Sequence, residues 1–329
     1  MTVLTDTSGK EVLAALSAAR TSRGGGASGL ALTLVVVAET DAVDSATSSA
    51  CVAAQAHPCR LIMVTRESPT DANYRLDAEI CVDGRLGTGE TVILRMHGRL
   101  ALHAESITLP LLAPDVPVVA WWQGVPPEKI ARDPLGVFAD RRVTDCSQHP
   151  DPLTALHQRA QDYRPGDTDI TWTRTTSWRS LLADAFDTID AQPASIEVHA
   201  PVGNASAALL AGWLQSRLGV VVRCGLPADD EPEISGVTVT LHDGSTLTLK
   251  RESPNSVVVQ QTGGAAQQLP LDQPSVCDAL AEELRHLDPD QPYAAALQTA
   301  TGVAVAGADY SAAARIHEWH DPELSAPAS

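Results

Sequence analysis

Twice along this chain an apolar run of strand length is followed by a helix-length segment and a second apolar run. Each time, alternating strands and a helix come after. The first instance is Leu30 to Ala38, Asp41 to Ala56 with an acidic first turn, and Cys59 to Thr65. The second is Ser195 to Ala200, Asn204 to Leu218 behind a capping Asn, and Val220 to Cys224. Runs that are apolar throughout belong to strands covered on both faces, and two such strands joined by a helix form a parallel βαβ unit. After the first unit, Leu76, Ala78, Ile80 and Val82 alternate, as do Val92, Leu94 and Met96, with Asp83-Gly84 between them. After the second, Val237, Val239 and Leu241 alternate, then Leu247 and Leu249 across His242-Asp243-Gly244-Ser245, and Val257 to Gln261 adds a strand. Alternation marks half-buried antiparallel strands, and Asp-Gly accepts the positive φ of a hairpin turn. The expected fold class is α/β, with two related domains, each a βαβ unit extended by antiparallel strands into a mixed sheet with helices packed on it. The residues themselves do not repeat, so the relation is one of topology.

At about 150 residues per domain, a length of 329 agrees with two units. An N-terminal helix and glycine-rich hinge cover 1–29, the helix opened by the Ser8 and Glu11 capping box and ending near Arg20. The N-terminal α/β domain with its helical extension covers 30–186, a linker 187–193, the C-terminal α/β domain 194–305 and a tail 306–329. Within the first domain, Leu100 to Leu112 reads as helix and Val116 to Trp122 as strand. Asp133-Pro134 and Asp151-Pro152 each read as a helix start, the second helix reaching about Tyr163, and Ser177 to Phe186 returns to helix. In the second, Ser275 with Asp278 caps a helix to about Leu287, and Pro292 to Thr301 forms another. The tail end, Asp321 to Ser329, is expected to be disordered.

Charge narrows the partners. With 41 acidic against 23 basic residues the formal charge is −18, which repels phosphate backbones and anionic lipid, so nucleic acid and membrane are not expected partners. The cysteines Cys51, Cys59, Cys81, Cys146, Cys224 and Cys277 are dispersed without a CxxC pair, as free thiols in a reducing cytoplasm would be. The start Met1-Thr2-Val3-Leu4-Thr5-Asp6 lacks the basic and apolar segments of a signal peptide.

Chemical motifs fail on context. Gly24-x-Gly26-x-x-Gly29 matches the dinucleotide fingerprint in letters, but it leaves a helix and enters a strand, the reverse of what phosphate binding needs. His317 and His320 are three apart where a helical zinc pair needs four. Asp167-x-Asp169 could hold a divalent ion, though after Pro165-Gly166 it reads better as a capped turn. His57-Pro58-Cys59 offers an imidazole and a thiol, but Cys59 opens a buried strand, where thiols are inert packing. No catalytic residue, cofactor or metal site is expected.

Aromatic residues make up 4% of the chain, so their clusters stand out. Trp121-Trp122 ends a strand and points its indoles to opposite faces, so at most one is expected to fit the core and the other is a candidate partner contact. The second cluster is Trp172, Arg174, Trp178 and Arg179, with Arg141 and Arg142 nearby in sequence. Two readings fit these residues equally: tryptophans filling a seam between domains with the arginines paired to local carboxylates, or a partner-binding surface. As candidate partner-binding residues they are Trp121, Trp122, Arg141, Arg142, Trp172, Arg174, Trp178 and Arg179.

The same segments carry a family resemblance. His57-Pro58-Cys59-Arg60, Leu109-Pro110-Leu111-Leu112 with Pro114-Asp115-Val116-Pro117-Val118-Val119-Ala120-Trp121-Trp122, and Asp133-Pro134-Leu135-Gly136 with Arg141-Arg142-Val143-Thr144-Asp145 form one part of it. Tyr163-Arg164-Pro165-Gly166-Asp167-Thr168-Asp169 with Trp172-Thr173-Arg174 and Trp178-Arg179 form the other. Over about Leu30 to Phe186 the chain resembles the OpcA family, the glucose-6-phosphate dehydrogenase assembly proteins, in its actinobacterial form. Gly212-Trp213-Leu214 with Arg217-Leu218-Gly219 is similar to its C-terminal domain more loosely. The resemblance implies a non-catalytic, cytoplasmic protein that binds glucose-6-phosphate dehydrogenase and promotes its active oligomer, feeding the oxidative pentose phosphate pathway and NADPH supply. Gln123 stands where the family pattern has proline after the paired tryptophans. Its cyanobacterial branch is associated with thioredoxin control, which the dispersed cysteines here do not support. The alternative is a regulatory protein that senses a sugar phosphate or NADP through arginines such as Arg141, Arg142 and Arg174.

Overall fold

Two sheets form the frame. The computed structural model describes residues 1–22, 29–55, 57–68, 70–82, 89–227 and 233–308. In chain order the elements begin with β1 (Thr2–Leu4), α1 (Gly9–Thr21), β2 (Leu32–Val37), α2 (Val43–Ala54), β3 (Cys59–Glu67), β4 (Arg75–Cys81), β5 (Glu90–His97), α3 (Ala104–Thr108) and β6 (Val118–Trp122). They continue with β7 (Arg141–Thr144), α4 (Pro152–Asp162), β8 (Asp167–Asp169), α5 (Ile170–Thr173), α6 (Thr176–Phe186), β9 (Pro193–His199), α7 (Ala205–Leu218) and β10 (Val222–Gly225). The last are β11 (Gly236–Leu241), β12 (Thr246–Ser253), β13 (Ser256–Gln261), β14 (Gln267–Pro270), α8 (Val276–Arg285) and α9 (Gln291–Thr301).

The first sheet has the order β1-β4-β5-β3-β2-β6-β7-β8, parallel from β5 to β8 and antiparallel at the β1 and β4 edge. Its central strands are apolar throughout because both faces are covered. Leu32, Leu34 and Val36 of β2, with Leu61 and Met63 of β3, face α2 and α8, while Val35, Ile62 and Val64 face the side of α1. Helix α2 meets that face through Val43, Ala46, Ala50 and Ala53, small side chains that let helix and sheet approach closely. The second sheet, β10-β9-β11-β12-β13-β14, is covered on one face by α6 and α7, with Trp178, Leu182, Leu210 and Leu214 on Ile196, Val198, Val237, Val239 and Leu249. On its other face Glu197, Thr238, Thr248, Lys250 and Gln260 are exposed or half-buried, which is why these strands alternate in sequence. The protein is therefore α/β with two mixed sheets, as the repeated apolar pattern implies.

The two units begin alike and then diverge. In the first, β5 adds beside β3 in parallel; in the second, β11 adds beside β9 antiparallel. Helices also exchange between the sheets. Helix α8 follows the second sheet in sequence, yet its Ala279, Leu280 and Leu284 are buried in the core of the first. Helix α9 lies against α7 and α4, and Gly212 of α7 permits the crossing, since a Cβ there would sit 2.4 Å from the Ala296 carbonyl oxygen.

Several local expectations are corrected. Asp133-Pro134 opens no helix; the Asp133 carboxylate accepts two bonds from Arg66 at 2.6 and 2.8 Å and one from the Leu135 N–H, closing a turn instead. Leu100 to Leu112 is not one helix but short 3-10 turns around the five-residue α3. Asp167 to Asp169, read as a turn, is the edge strand β8. Gly24 to Ser28, Asp83-Gly84, His317 and His320, and the tail from 309 lie outside the described residues.

Candidate functional site

The eight candidate residues lie on β6, on β7 and on the segment of α5 and α6, and only some of them meet the helices that return to the first sheet. Strand β6 carries both tryptophans, Trp121 at 1% and Trp122 at 2% exposure. The expectation that one would remain outside is corrected. Trp121 packs into the core under α2 and α8, and Trp122 into a separate pocket with Ile130, Ala120 and Ala139, because the segment 123–140 folds back over that face. Neither indole N–H has a hydrogen-bond partner among the described residues.

Next to β6, β7 carries Arg141 and Arg142, whose side chains leave opposite faces of the strand. Arg142 donates to the Asp167 carboxylate of β8 and to the carbonyl of Ala139 at 2.7 Å, tying the edge strand down. Burial pushes Asp167 above the usual carboxylate value, and the Arg142 charge opposes this without cancelling it. Arg141 reaches the other way, to Glu283 of α8 and the Asp288 carbonyl. Glu283 accepts in addition from the Thr173 hydroxyl. Trp172 donates its indole N–H to Asp290 at 2.7 Å, and that carboxylate also caps α9 by accepting from the Tyr293 N–H. One strand and one short helix thereby hold both C-terminal helices through two carboxylates.

Arg179 lies over the Trp172 ring at 3.7 Å and donates to the hydroxyls of Thr175 and Thr176. Burial pushes it down to about 10, which Asp290 and Glu283 resist. Arg174 grips Asp145 with two bonds, 2.9 and 2.8 Å, and also reaches the Ser147 hydroxyl. Burial would lower it, and these bonds raise it instead. Trp178 turns into the core of the second sheet. Of the eight, only Arg174 and Arg179 are partly exposed; the others are buried, Trp122 and Trp178 in clusters of their own.

Asp169, read from the sequence as a capping residue, caps α5 and organises this junction from 0% exposure. It accepts from Thr144, from the Cys146 N–H and from Thr171. With every lone pair directed to protein donors, its carboxylate is committed to structure, and among the described residues no group of three His, Cys, Asp or Glu could hold a metal ion. Cys59 is fully buried and its thiol is pushed up to about 12 by burial, with Cys51 adding to this, the opposite of what a nucleophile needs. The switch point of the first sheet lies at the carboxyl ends of β2 and β6, where open parallel sheets receive ligands. Here the turn leaving β2 reads Ala38-Glu39-Thr40-Asp41, with no glycine and with Glu39 and Asp41 both exposed, an acidic turn where dinucleotide sites place a glycine-rich one.

Comparison with known proteins agrees over most of the chain. Residues 50–161 match a family model described as the glucose-6-phosphate dehydrogenase subunit N-terminal domain, and residues 165–297 match its C-terminal domain counterpart. A protein of Synechocystis sp. named for the OxPP cycle and OpcA is 27% identical over 185 residues, which is 50% of this chain and 38% of that relative. The chain therefore matches well under half the relative's length. Among solved structures, an NAD binding oxidoreductase from Klebsiella pneumoniae gives a TM-score of 0.41 at 8% identity, covering 82% of this chain and 94% of that one. An oxidoreductase from Sinorhizobium meliloti gives 0.38 at 9%, covering 82% and 86%. Both likenesses are too loose to carry an argument. The two consecutive domain models, whose matches take in the junction residues from Trp121 to Arg179 and helix α8, do carry one: this chain belongs to the OpcA family of glucose-6-phosphate dehydrogenase assembly proteins.

Proposed function

We propose that this chain is a non-catalytic assembly factor that binds glucose-6-phosphate dehydrogenase in the cytoplasm and favours its active oligomer. The observation that carries this reading is the match of both family domain models in consecutive order along one chain. The acidic turn at the sheet's switch point and the internally committed Asp169 and Cys59 support a role without turnover. Differential affinity suffices as a mechanism: binding the associated form about a hundredfold more tightly, roughly 2.7 kcal/mol, shifts its equilibrium by that factor.

In this reading the Trp and Arg residues act mostly from beneath. Trp121, Trp122, Arg141, Arg142, Trp172 and Trp178 stiffen the junction that presents the docking surface, and Arg174 and Arg179 reach it. No helix among the described residues is long and apolar enough to cross a membrane, and the −18 charge disfavours nucleic acid. The test is to mix this protein with its host's glucose-6-phosphate dehydrogenase and measure mass by light scattering alongside steady-state rate. A larger complex with a raised rate is expected; unchanged mass and rate would sink the proposal.

A further inference from the structure

We propose that the uncovered face of the second sheet is the contact through which two copies of this chain associate. Helices α6 and α7 take the opposite face, and the side chains on this one are exposed or half-buried. The registers set Arg223, Glu197, Thr238, Thr248 and Gln260 in one row across β10, β9, β11, β12 and β13, and His199, Gly236, Lys250 and Val258 in the next. The centre carries only Gly236 and the short side chains of Thr238, Thr240, Thr246 and Thr248, so a second sheet can approach it closely. Just past β9 and β10, Val202 and Leu226 are 89% and 69% exposed. Six strands about 4.8 Å apart and about 20 Å long present roughly 700 Å² of accessible surface once side-chain relief is included, and Val202 and Leu226 bring it to the ~800 Å² per partner of a stable interface.

Charge selects a second copy as the occupant. With a formal charge of −18, most of the surface repels a like chain. Here Glu197 and Glu252 are matched by Arg223 and Lys250, so the local charge is near zero. Glu197 and Lys250 form no ion pair among the described residues, and they stand on β9 and β12, the two neighbours of β11. A two-fold axis along β11 lays β9 of one copy over β12 of the other, in the aligned packing of two sheets. Lys250 lies two residues along β12 from the position opposite Glu197, about 7 Å, a gap that its side chain spans. The contact is thus self-complementary, one Glu197 to Lys250 pair on each side of the axis, with Thr238 meeting its own counterpart on it. The chain's own C-terminal end is placed elsewhere: Ala308 packs with α7 and α9, on the covered side of the sheet.

The test needs only the full chain, without the dehydrogenase, so it fails or succeeds independently of the assembly reading. Sedimentation and light scattering across a concentration series should show the mass rising from 34.6 kDa to twice that value. Thr238→Lys sets two like charges against each other on the axis and should weaken self-association at least tenfold. Lys250→Glu and Glu197→Lys should each weaken it about tenfold, and the two together should restore it, because the pair is rebuilt with its signs exchanged. Ser216→Lys, exposed on α7, should leave it unchanged. Melting curves confirm that each variant folds, and the exposed Glu197 and Lys250 exchange carries the test if Thr238→Lys unfolds. A chain that stays monomeric at every concentration, or a dimer that all three single variants leave intact, would overturn the proposal. So would a monomer whose variants lose association with the dehydrogenase instead, which would assign the face to that enzyme.

Discussion

At the residue scale, the same side chain performs different work according to whether its polar atom is engaged. Trp172 and Trp121 are both buried, but Trp172 donates to Asp290 at 2.7 Å while the Trp121 N–H is unpartnered. Trp172→Phe and Trp121→Phe remove the same ring area, so their difference isolates the charged hydrogen bond. Chemical denaturation should find Trp172→Phe the less stable by about 2 kcal/mol; equal losses would show that the bond does not hold α9. Glu90 gives a pH-dependent counterpart. Burial pushes its carboxyl up, yet the bonds from Arg20 and Arg60 outweigh this and keep it below 4.5. A carboxylate lowered on folding stabilises above its unfolded value and loses that contribution as pH falls through the folded one. Glu90→Gln should therefore cost about 3 kcal/mol near neutrality, with the gap to the parent protein closing as pH drops below 4.5 in urea-melt series. A gap constant with pH would mean that the ion pair contributes nothing through charge.

At the element scale, legibility followed the source of stabilisation. Strands β2 and β3 could be read because Leu32 to Val37 and Cys59 to Thr65 are held by burial on both faces, a pattern that composition displays directly. Strands β7 and β8 could not: Arg141-Arg142 and Asp167-Thr168-Asp169 are polar sequences, carried in the parallel ladder beside β6 with their buried charges met by the ion pair between Arg142 and Asp167 and by the contacts of Asp169. Asp133-Pro134 looked like a helix start because its long-range partner, Arg66, is 67 residues away. For the candidate site, the residue types were visible and their enclosure was not, since Trp122 is covered by a turn rich in Gly and Pro that has no periodic signal. Helix α8 shows the same limit, because nothing in Val276 to Arg285 says which sheet it will cover. Its placement is testable. Leu280→Asp puts a carboxylate into the buried cluster that also holds Leu34, Ala50 and Leu61, and should lower stability by more than about 3 kcal/mol. If proteolysis of that variant then released an intact first sheet, α8 would not be part of its core.

For the whole molecule, the exchange of helices decides how it unfolds. Helix α6, which follows the last strand of the first sheet, covers the second sheet with Trp178 and Leu182, and α8, which follows the last strand of the second sheet, covers the first sheet with Leu280 and Leu284. Arg141 and Trp172 add polar ties to Glu283 and Asp290 across the same boundary. A chain of this length with two sheets would ordinarily unfold domain by domain. Here each sheet loses part of its apolar cover once the other has melted, because α6 and α8 each pack on the sheet opposite to the one whose last strand precedes them. Calorimetry should accordingly show one transition, with calorimetric and van't Hoff enthalpies in near agreement. A fragment of residues 1–186 should fail to melt cooperatively and should bind a hydrophobic dye, since it lacks α8 over Ala46, Ala50 and Ala53. Two resolved transitions, or a cooperative fragment, would show that the halves are independent, and the rigid junction on which the proposed assembly role depends would then be only a contact between separate bodies.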